Sequence, residues 1–337
     1  MGVPDPSHNP RHAQWSMSKG GARSHFANYA DLPLFSNQVW SRVLRPVTIA
    51  ARNINQTVGR KVNWNASPKA GSRKSLGQHF LSDHRTVARI IHAAQLAPDD
   101  VVVEIGPGQG VLTRRLVDQV KRVVALELDS ELCAALPARL GSPPNLVCIA
   151  ADARVADIAE LVAEGEAYKV VANLPYYAAN PIIRRLLETE PKPHSMVVMV
   201  QQEVANNMVA APGKMGILSV ATQFYAEASL VCTVPPHAFK PPPKVTSAVV
   251  KLVLRNAPAV ATGDVGDGID SFFQVVKAGF SAPRKQLRNS LSHGLAVSPE
   301  TAGVVLETAG IDGKRRAETL ALEEWGCVYH AWEKLKD

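Results

Sequence analysis

The chain has 337 residues, 46% apolar and 20% charged, a balance that fits a globular protein with room for two domains, and no run approaches the ~20 apolar residues of a membrane-spanning helix. Its four cysteines, Cys133, Cys148, Cys232 and Cys327, are far apart and form no CxxC pair, so neither a zinc site nor a disulfide framework is expected and a reducing compartment fits. The net charge of +7 belongs to the front of the chain: residues 1–70 hold nine Lys/Arg and two acids, and the remainder is balanced.

Residues 1–71 are rich in Asn, Ser and Arg, and the composition predicts a disordered basic extension. A nucleic-acid arm, an organelle transit peptide and a segment without specific function all fit it. From Ser72 the texture changes. A helical pattern runs from about Asp83 to Gln95, and Val101 to Ile105 reads as a first buried strand leading into Gly106-Pro107-Gly108-Gln109-Gly110. A helix follows over Leu112 to Val120, then a strand over Val123 to Leu128, a helix over Glu131 to Leu140 and a strand over Leu146 to Ala150. Tyr168 to Ala172 reads as a fourth strand, Ile182 to Glu188 as a helix and Met196 to Val200 as a fifth strand. Strict alternation implies a doubly wound parallel sheet.

After a helix at about Ile217 to Tyr225, two more strands, Ala228 to Val234 and Ser247 to Leu254, are joined by a proline-rich connection. No crossover helix fits there, so the pair must be an antiparallel terminal hairpin. Residues 257–269 read as a linker, and Ser271 to His330 as helices only, with Ser298-Pro299 marking a helix start.

The chemistry gathers at strand ends. A G-x-G-x-G turn after the first strand lets a ligand approach the backbone, although alone it is also what a tight turn looks like. Glu127, ending the second strand, can accept from two ribose hydroxyls, and Asp152, after the third, can meet an adenine edge. Together the three suit adenosine with an amino-acid tail, as in S-adenosylmethionine. After the fourth strand comes Asn173-Leu174-Pro175-Tyr176. Pro175 restricts Leu174 to extended backbone, so the Asn173 amide oxygen and Leu174 carbonyl can accept side by side from an amine such as adenine N6. Tyr176 offers a face for a stacked base. A proline turn with a surface tyrosine is the plainer alternative.

Leu76-Gly77-Gln78-His79-Phe80-Leu81, Glu104-Ile105-Gly106-Pro107-Gly108-Gln109-Gly110, Glu127-Leu128-Asp129, Asn173-Leu174-Pro175-Tyr176-Tyr177, Gln202-Glu203-Val204-Ala205 and Phe239-Lys240-Pro241-Pro242-Pro243-Lys244-Val245 occur in that order. The set resembles the small-subunit ribosomal RNA adenine N6,N6-dimethyltransferase family over about residues 72 to 330. The resemblance implies a class I methyltransferase Rossmann-like sheet over residues 72–256 and a small all-helical, RNA-binding domain over 270–337. It implies S-adenosylmethionine as cofactor and two adjacent adenines near the 3′ end of small-subunit RNA as target. On it, His79, Leu81 and Gly106 would line the methionine end, Glu127 the ribose and Asp152 the cofactor's adenine. Asn173 would stand between cofactor and target, Leu174 and Tyr176 would complete the base site, and Phe239 would cover the base.

Lys240 and Lys244, flanking the proline loop, are the stronger candidates for phosphate contact. Arg284, Lys285 and Arg288 at helical spacing, and Lys314-Arg315-Arg316, are weaker ones, since each could be a solvated helix face. The expected partner is the assembling small subunit, met by a monomer in the cytoplasm without metal or membrane. Departures from the family pattern are Ala179-Asn180, Asn206-Asn207, Thr246, and Ala321 where a capping serine is common. Three rivals remain: a large-subunit methylase of the macrolide-resistance type, a non-catalytic assembly or transcription factor on the same fold, and a nicotinamide-dependent dehydrogenase.

Overall fold

Runs of β-branched residues supply one central sheet. The computed structural model describes residues 79–263 and 267–336, and the basic extension expected over 1–71 lies outside them. The first described element is a two-residue strand, β1 (Phe80–Leu81). Helix α1 (His84–Ala94) follows, capped by Asp83, whose carboxylate accepts from the Thr86 amide at 2.9 Å and the Thr86 hydroxyl at 2.6 Å. Then come β2 (Val101–Ile105), α2 (Thr113–Val117), β3 (Arg122–Glu127), α3 (Ser130–Arg139) and β4 (Leu146–Ala150). The chain continues through β5 (Tyr168–Asn173), α4 (Ala179–Glu188), β6 (Ser195–Gln201), α5 (Gln202–Met208), α6 (Ile217–Tyr225) and β7 (Ala226–Val234). A second two-residue strand, β8 (Phe239–Lys240), precedes β9 (Ser247–Leu254).

The seven-stranded sheet has the order β4-β3-β2-β5-β6-β9-β7; its first five strands are parallel, and β9 and β7 are antiparallel. This is the expected five-plus-hairpin pattern. The chain starts at β2, builds outward to β4, then returns to place β5 on β2's other side. The switch point between β2 and β5 opens a crevice at the carboxyl ends of the strands, where ligands of such sheets bind. Register holds those ends level: Ile105 pairs with Leu126 and with Ala172, and Glu127 with Ala150.

Three features were not expected. The α5 helix follows β6 directly. Strands β1 and β8 pair antiparallel, Leu81 with Phe239, across more than 150 residues of chain. Cys133 on α3 and Cys148 on β4 form a disulfide with Cα atoms 5.7 Å apart, which corrects the expectation of none. The connection after α3 returns β4 alongside that helix, so a wide sequence spacing becomes a close spatial one.

The C-terminal region is helical: α7 (Asp267–Phe280), α8 (Leu287–Leu295), α9 (Pro299–Thr308) and α10 (Leu322–Lys336). Helix α7 begins inside the stretch expected as linker. Ser298 caps α9 through its hydroxyl, as expected, accepting from the Thr301 amide at 3.1 Å. Where α10 lacks a capping serine, Glu324 reaches back to accept from the Ala321 amide at 2.7 Å. Phe272 of α7 stacks on Phe224 of α6, centroids 4.9 Å apart, and Trp325 of α10 is fully buried in the same apolar cluster. No described helix is long and apolar enough to cross a membrane.

Candidate active site

The glycine turn after β2 is shaped by backbone that side chains disfavour. Gly106, Gly108 and Gly110 have φ of +70°, +54° and +82°. A Cβ on Gly106 would stand 3.4 Å from the Asn173 carbonyl, and one on Gly108 3.1 Å from the Phe80 ring. The turn is thus packed between the β5 end and the β1 segment.

Glu127 ties that turn to the end of β3. Its Oε2 accepts from the Gly108 amide at 3.0 Å and its Oε1 from the Asp129 amide at 3.1 Å. Burial, with 5% of the residue exposed, raises its carboxyl above the usual range, and the two N–H donors oppose that. Each oxygen keeps a further acceptor position. Just beyond β4, Asp152 is gripped by Arg154, and this ion pair holds its carboxyl below the ordinary range against partial desolvation.

At the end of β5 the Leu174 amide donates to the Met199 carbonyl at 3.1 Å, and Leu174 is buried. The Ala178 amide donates to the Pro175 carbonyl at 2.9 Å, closing a tight turn into α4. The Tyr176 hydroxyl lies 2.6 Å from the Ser247 hydroxyl on β9, which tethers the ring to the sheet beyond β6. His79 lies 6.3 Å from that ring between centroids, and its Nδ1 is 2.8 Å from the Pro241 carbonyl. The histidine is thus tied to the proline loop.

A cavity of about 370 Å³ opens among these groups. The candidate cofactor residues His79, Leu81, Gly106, Glu127 and Asp152 line it. So do Asn173, Leu174, Tyr176 and Phe239, the last only 3% exposed. Nine candidates spread over 160 residues of sequence therefore line one cavity. The basic candidates do not line it. Lys240 and Lys244 are exposed on and after β8, close in sequence to Phe239.

Arg284 and Lys285 are exposed but precede α8, so the helical spacing expected of them is not realised; only Arg288 is on the helix. A turn in which the Lys285 amide donates to the Ala282 carbonyl at 2.9 Å precedes the helix, whose first residue is Leu287. In the second cluster Arg315 is held by Glu324, Nη2 to Oε2 at 2.9 Å, and by the Thr319 carbonyl at 2.7 Å, so it serves the fold.

Among the lining residues to which sequence reasoning assigns no role, Glu104 and Arg154 carry charge-bearing side chains. Glu104 is 1% exposed, neither carboxylate oxygen has a hydrogen-bond partner, and burial pushes its carboxyl up to about 8. A charged residue inside an otherwise apolar strand was the available signal. Arg154 is the other, and its place two residues after Asp152 was the signal there.

A turn of left-handed glycines beside two carboxylates on successive strand ends, with an amide and a carbonyl opposite, fits a nucleoside cofactor next to an amine-bearing base. Among the described residues no group of three or more His, Cys, Asp or Glu is placed to hold a metal.

The comparisons with known proteins point the same way. The family model described as ribosomal RNA adenine dimethylase matches residues 70–331. Ribosomal RNA small subunit methyltransferase A of Dehalococcoides mccartyi is 46% identical over 254 residues, covering 75% of this chain and 86% of the relative. The protein of the same name from Pelotomaculum thermopropionicum is 46% identical over 268 residues, covering 76% and 90%. Among solved structures, the 23S rRNA methyltransferase ErmE superposes with a TM-score of 0.62 at 29% identity, over 75% of this chain and 99% of its own. A Plasmodium falciparum dimethyladenosine transferase gives 0.64 at 24% identity, covering 76% and 98%, a likeness of fold.

Proposed function

The chain belongs to the ribosomal RNA adenine dimethylase family, and from that premise we propose that it dimethylates N6 of two adjacent adenines near the 3′ end of small-subunit RNA, with S-adenosylmethionine as methyl donor. Bound in the cavity, that cofactor supplies a methyl group activated by a positively charged sulfur. The protein's task is then placement. Glu127 holds the ribose hydroxyls with the acceptor positions that Gly108 and Asp129 leave over. Asp152 accepts from the cofactor's adenine, while the Gly106 turn and the His79–Leu81 segment line the methionine end.

Asn173 and Leu174 do the work on the target. A conjugated amine has its lone pair drawn into the ring. Two acceptors taking its N–H bonds favour a pyramidal nitrogen with the pair available. Leu174 is held by the Met199 carbonyl and Pro175, so its carbonyl needs no reorganisation as the reaction proceeds. Tyr176, tethered to Ser247, and Phe239 hold a base removed from its stack, which otherwise costs a few kcal/mol. Orientation of this kind is worth up to ~7–11 kcal/mol, so no nucleophilic side chain is needed. Residues 72–256 form the catalytic domain in this reading, and 270–337 a helical domain that meets the RNA through Arg284, Lys285 and Arg288 as Lys240 and Lys244 do beside the cavity. The enzyme works as a monomer in the cytoplasm.

The observation that carries the proposal is the convergence of Gly106, Glu127, Asp152 and Asn173 on one cavity at the switch point. The likeness to ErmE keeps a large-subunit target as the second reading. Labelled-methyl transfer to separated, unmodified subunits tests both. Label mapping to two adjacent adenines of the small-subunit RNA is the expected result. Label confined to large-subunit RNA overturns the target, and subunit binding without transfer overturns the catalysis.

A further inference from the structure

We propose that the exposed basic face of α1 extends the RNA surface beside the cavity, with Arg85 and Arg89 taking phosphates of the strand that leaves the base site past Phe239. The inference rests on the reading that the substrate is RNA, and not on which subunit carries the target.

The face is continuous with the base site. Strands β1 and β8 pair Leu81 with Phe239 and Phe80 with Lys240. The Ser82 and Asp83 amides then both donate to the Ala238 carbonyl, at 2.8 and 3.2 Å, so α1 starts on the segment that carries Phe239 and Lys240. Thr86, Val87, Ile90 and Ala94 are the buried side of the helix. At 3.6 residues per turn, Arg85, Arg89 and His92 fall within ~60° of one another on the opposite side, and all three are exposed. One turn separates the two arginines, ~6 Å along the helix, so the guanidinium groups can each fork onto a separate phosphate of one strand.

The fold does not account for these charges. Helix α1 contains no acid, and Arg85 stands in its first turn, where the helix dipole disfavours a cation. The cap, Asp83, is engaged by Thr86, which does most to lower its carboxyl; the Arg85 charge does least. Among the described residues neither Arg85 nor Arg89 forms a salt bridge, whereas Arg154, Arg255 and Arg315 each hold a carboxylate. Two cations kept without such a partner, one of them at the disfavoured end of a helix, and both on the element that follows β1, fit an anionic polymer outside the protein.

Filter binding over a range of salt concentrations tests this with protein-free fragments of small- and large-subunit RNA. Each phosphate contact contributes ~0.7–0.9 to the slope of log affinity against log salt. Arg85→Gln with Arg89→Gln should therefore lower the slope by ~1.5, leaving the two proteins alike near 1 M salt and the variant ~30-fold weaker at 0.1 M. Arg85→Lys with Arg89→Lys keeps the charges and should keep the slope. Calorimetry with S-adenosylhomocysteine should show less than a twofold change in the glutamine variant, and its melting temperature should not fall. An unchanged slope in the glutamine variant overturns the proposal, and so does an equal drop in the lysine variant. A loss seen with whole subunits but not with protein-free RNA gives the face to a ribosomal protein and overturns it too. If the wild type binds only the large-subunit fragment, the target reading fails, and the same slope comparison on that fragment still decides the face. If it binds neither, the RNA reading falls and the face with it.

Discussion

Replacing Glu104 by glutamine should make the protein more stable in alkaline solution. The side chain is 1% exposed, both of its oxygens lack hydrogen-bond partners, and the nearby Thr113 hydroxyl is likewise unpartnered. Burial raises the carboxyl from an ordinary 4.5 to about 8, and the nearby Glu127 charge adds to the rise. The folded state therefore keeps a proton that the unfolded chain releases. The contribution of this group is fully present below pH ~4.5 and is lost as pH rises through about 8. At ~1.4 kcal/mol per unit of pKa, the loss across that window is roughly 5 kcal/mol. Glutamine has the same shape and cannot ionise, so the variant should lack this slope. Urea unfolding of both proteins at pH 5, 7 and 9 measures the difference, and contributions from other groups cancel between them. The variant should match wild type within ~1 kcal/mol at pH 5 and exceed it by several at pH 9. Parallel stability profiles would refute the argument that Glu104 is held neutral.

Asn173→Ala should reduce methyl transfer to small subunits ~10²–10³-fold, the usual effect of removing one preorganised partner of a reacting group, while RNA binding changes less than twofold; single-turnover assays beside filter binding will show whether it does. Lys240→Ala with Lys244→Ala should lower the slope of log affinity against log salt for substrate RNA by ~1.5, since each phosphate contact contributes ~0.7–0.9; an unchanged slope removes both lysines from the interface. Gly108→Ala forces a side chain onto φ +54° within 3.1 Å of Phe80, and should cost ~1–2 kcal/mol in chemical unfolding.

The sheet was legible because its strands are short apolar runs separated by helical periods, and Ser247–Leu254 and Ile217–Tyr225 agree residue for residue with the pattern. The strand-end residues were legible for the same reason: a Gly, a Glu and an Asp each follow an apolar run, and the parallel register then aligns them. What could not be read depends on contacts between distant segments. Two-residue strands such as Phe80–Leu81 carry no period, and their pairing with Phe239–Lys240 exists only once the sheet has folded. Cys133 and Cys148 meet because α3 lies against β4. Arg315 looked like a phosphate ligand because its partner, Glu324, stands nine residues away beyond a turn. The first turn of α8 was misjudged because Arg284 and Lys285 both lie in the turn before the helix, although their spacing with Arg288 matches a helical period.

A crystal structure of the protein with S-adenosylmethionine bound bears most directly on the whole account. The expected complex has the ribose hydroxyls on Glu127, the adenine amine on Asp152 and the transferable methyl group facing the Asn173 side chain and the Leu174 carbonyl. A cofactor seated in the same cavity with its methyl group turned away from Asn173 would contradict it.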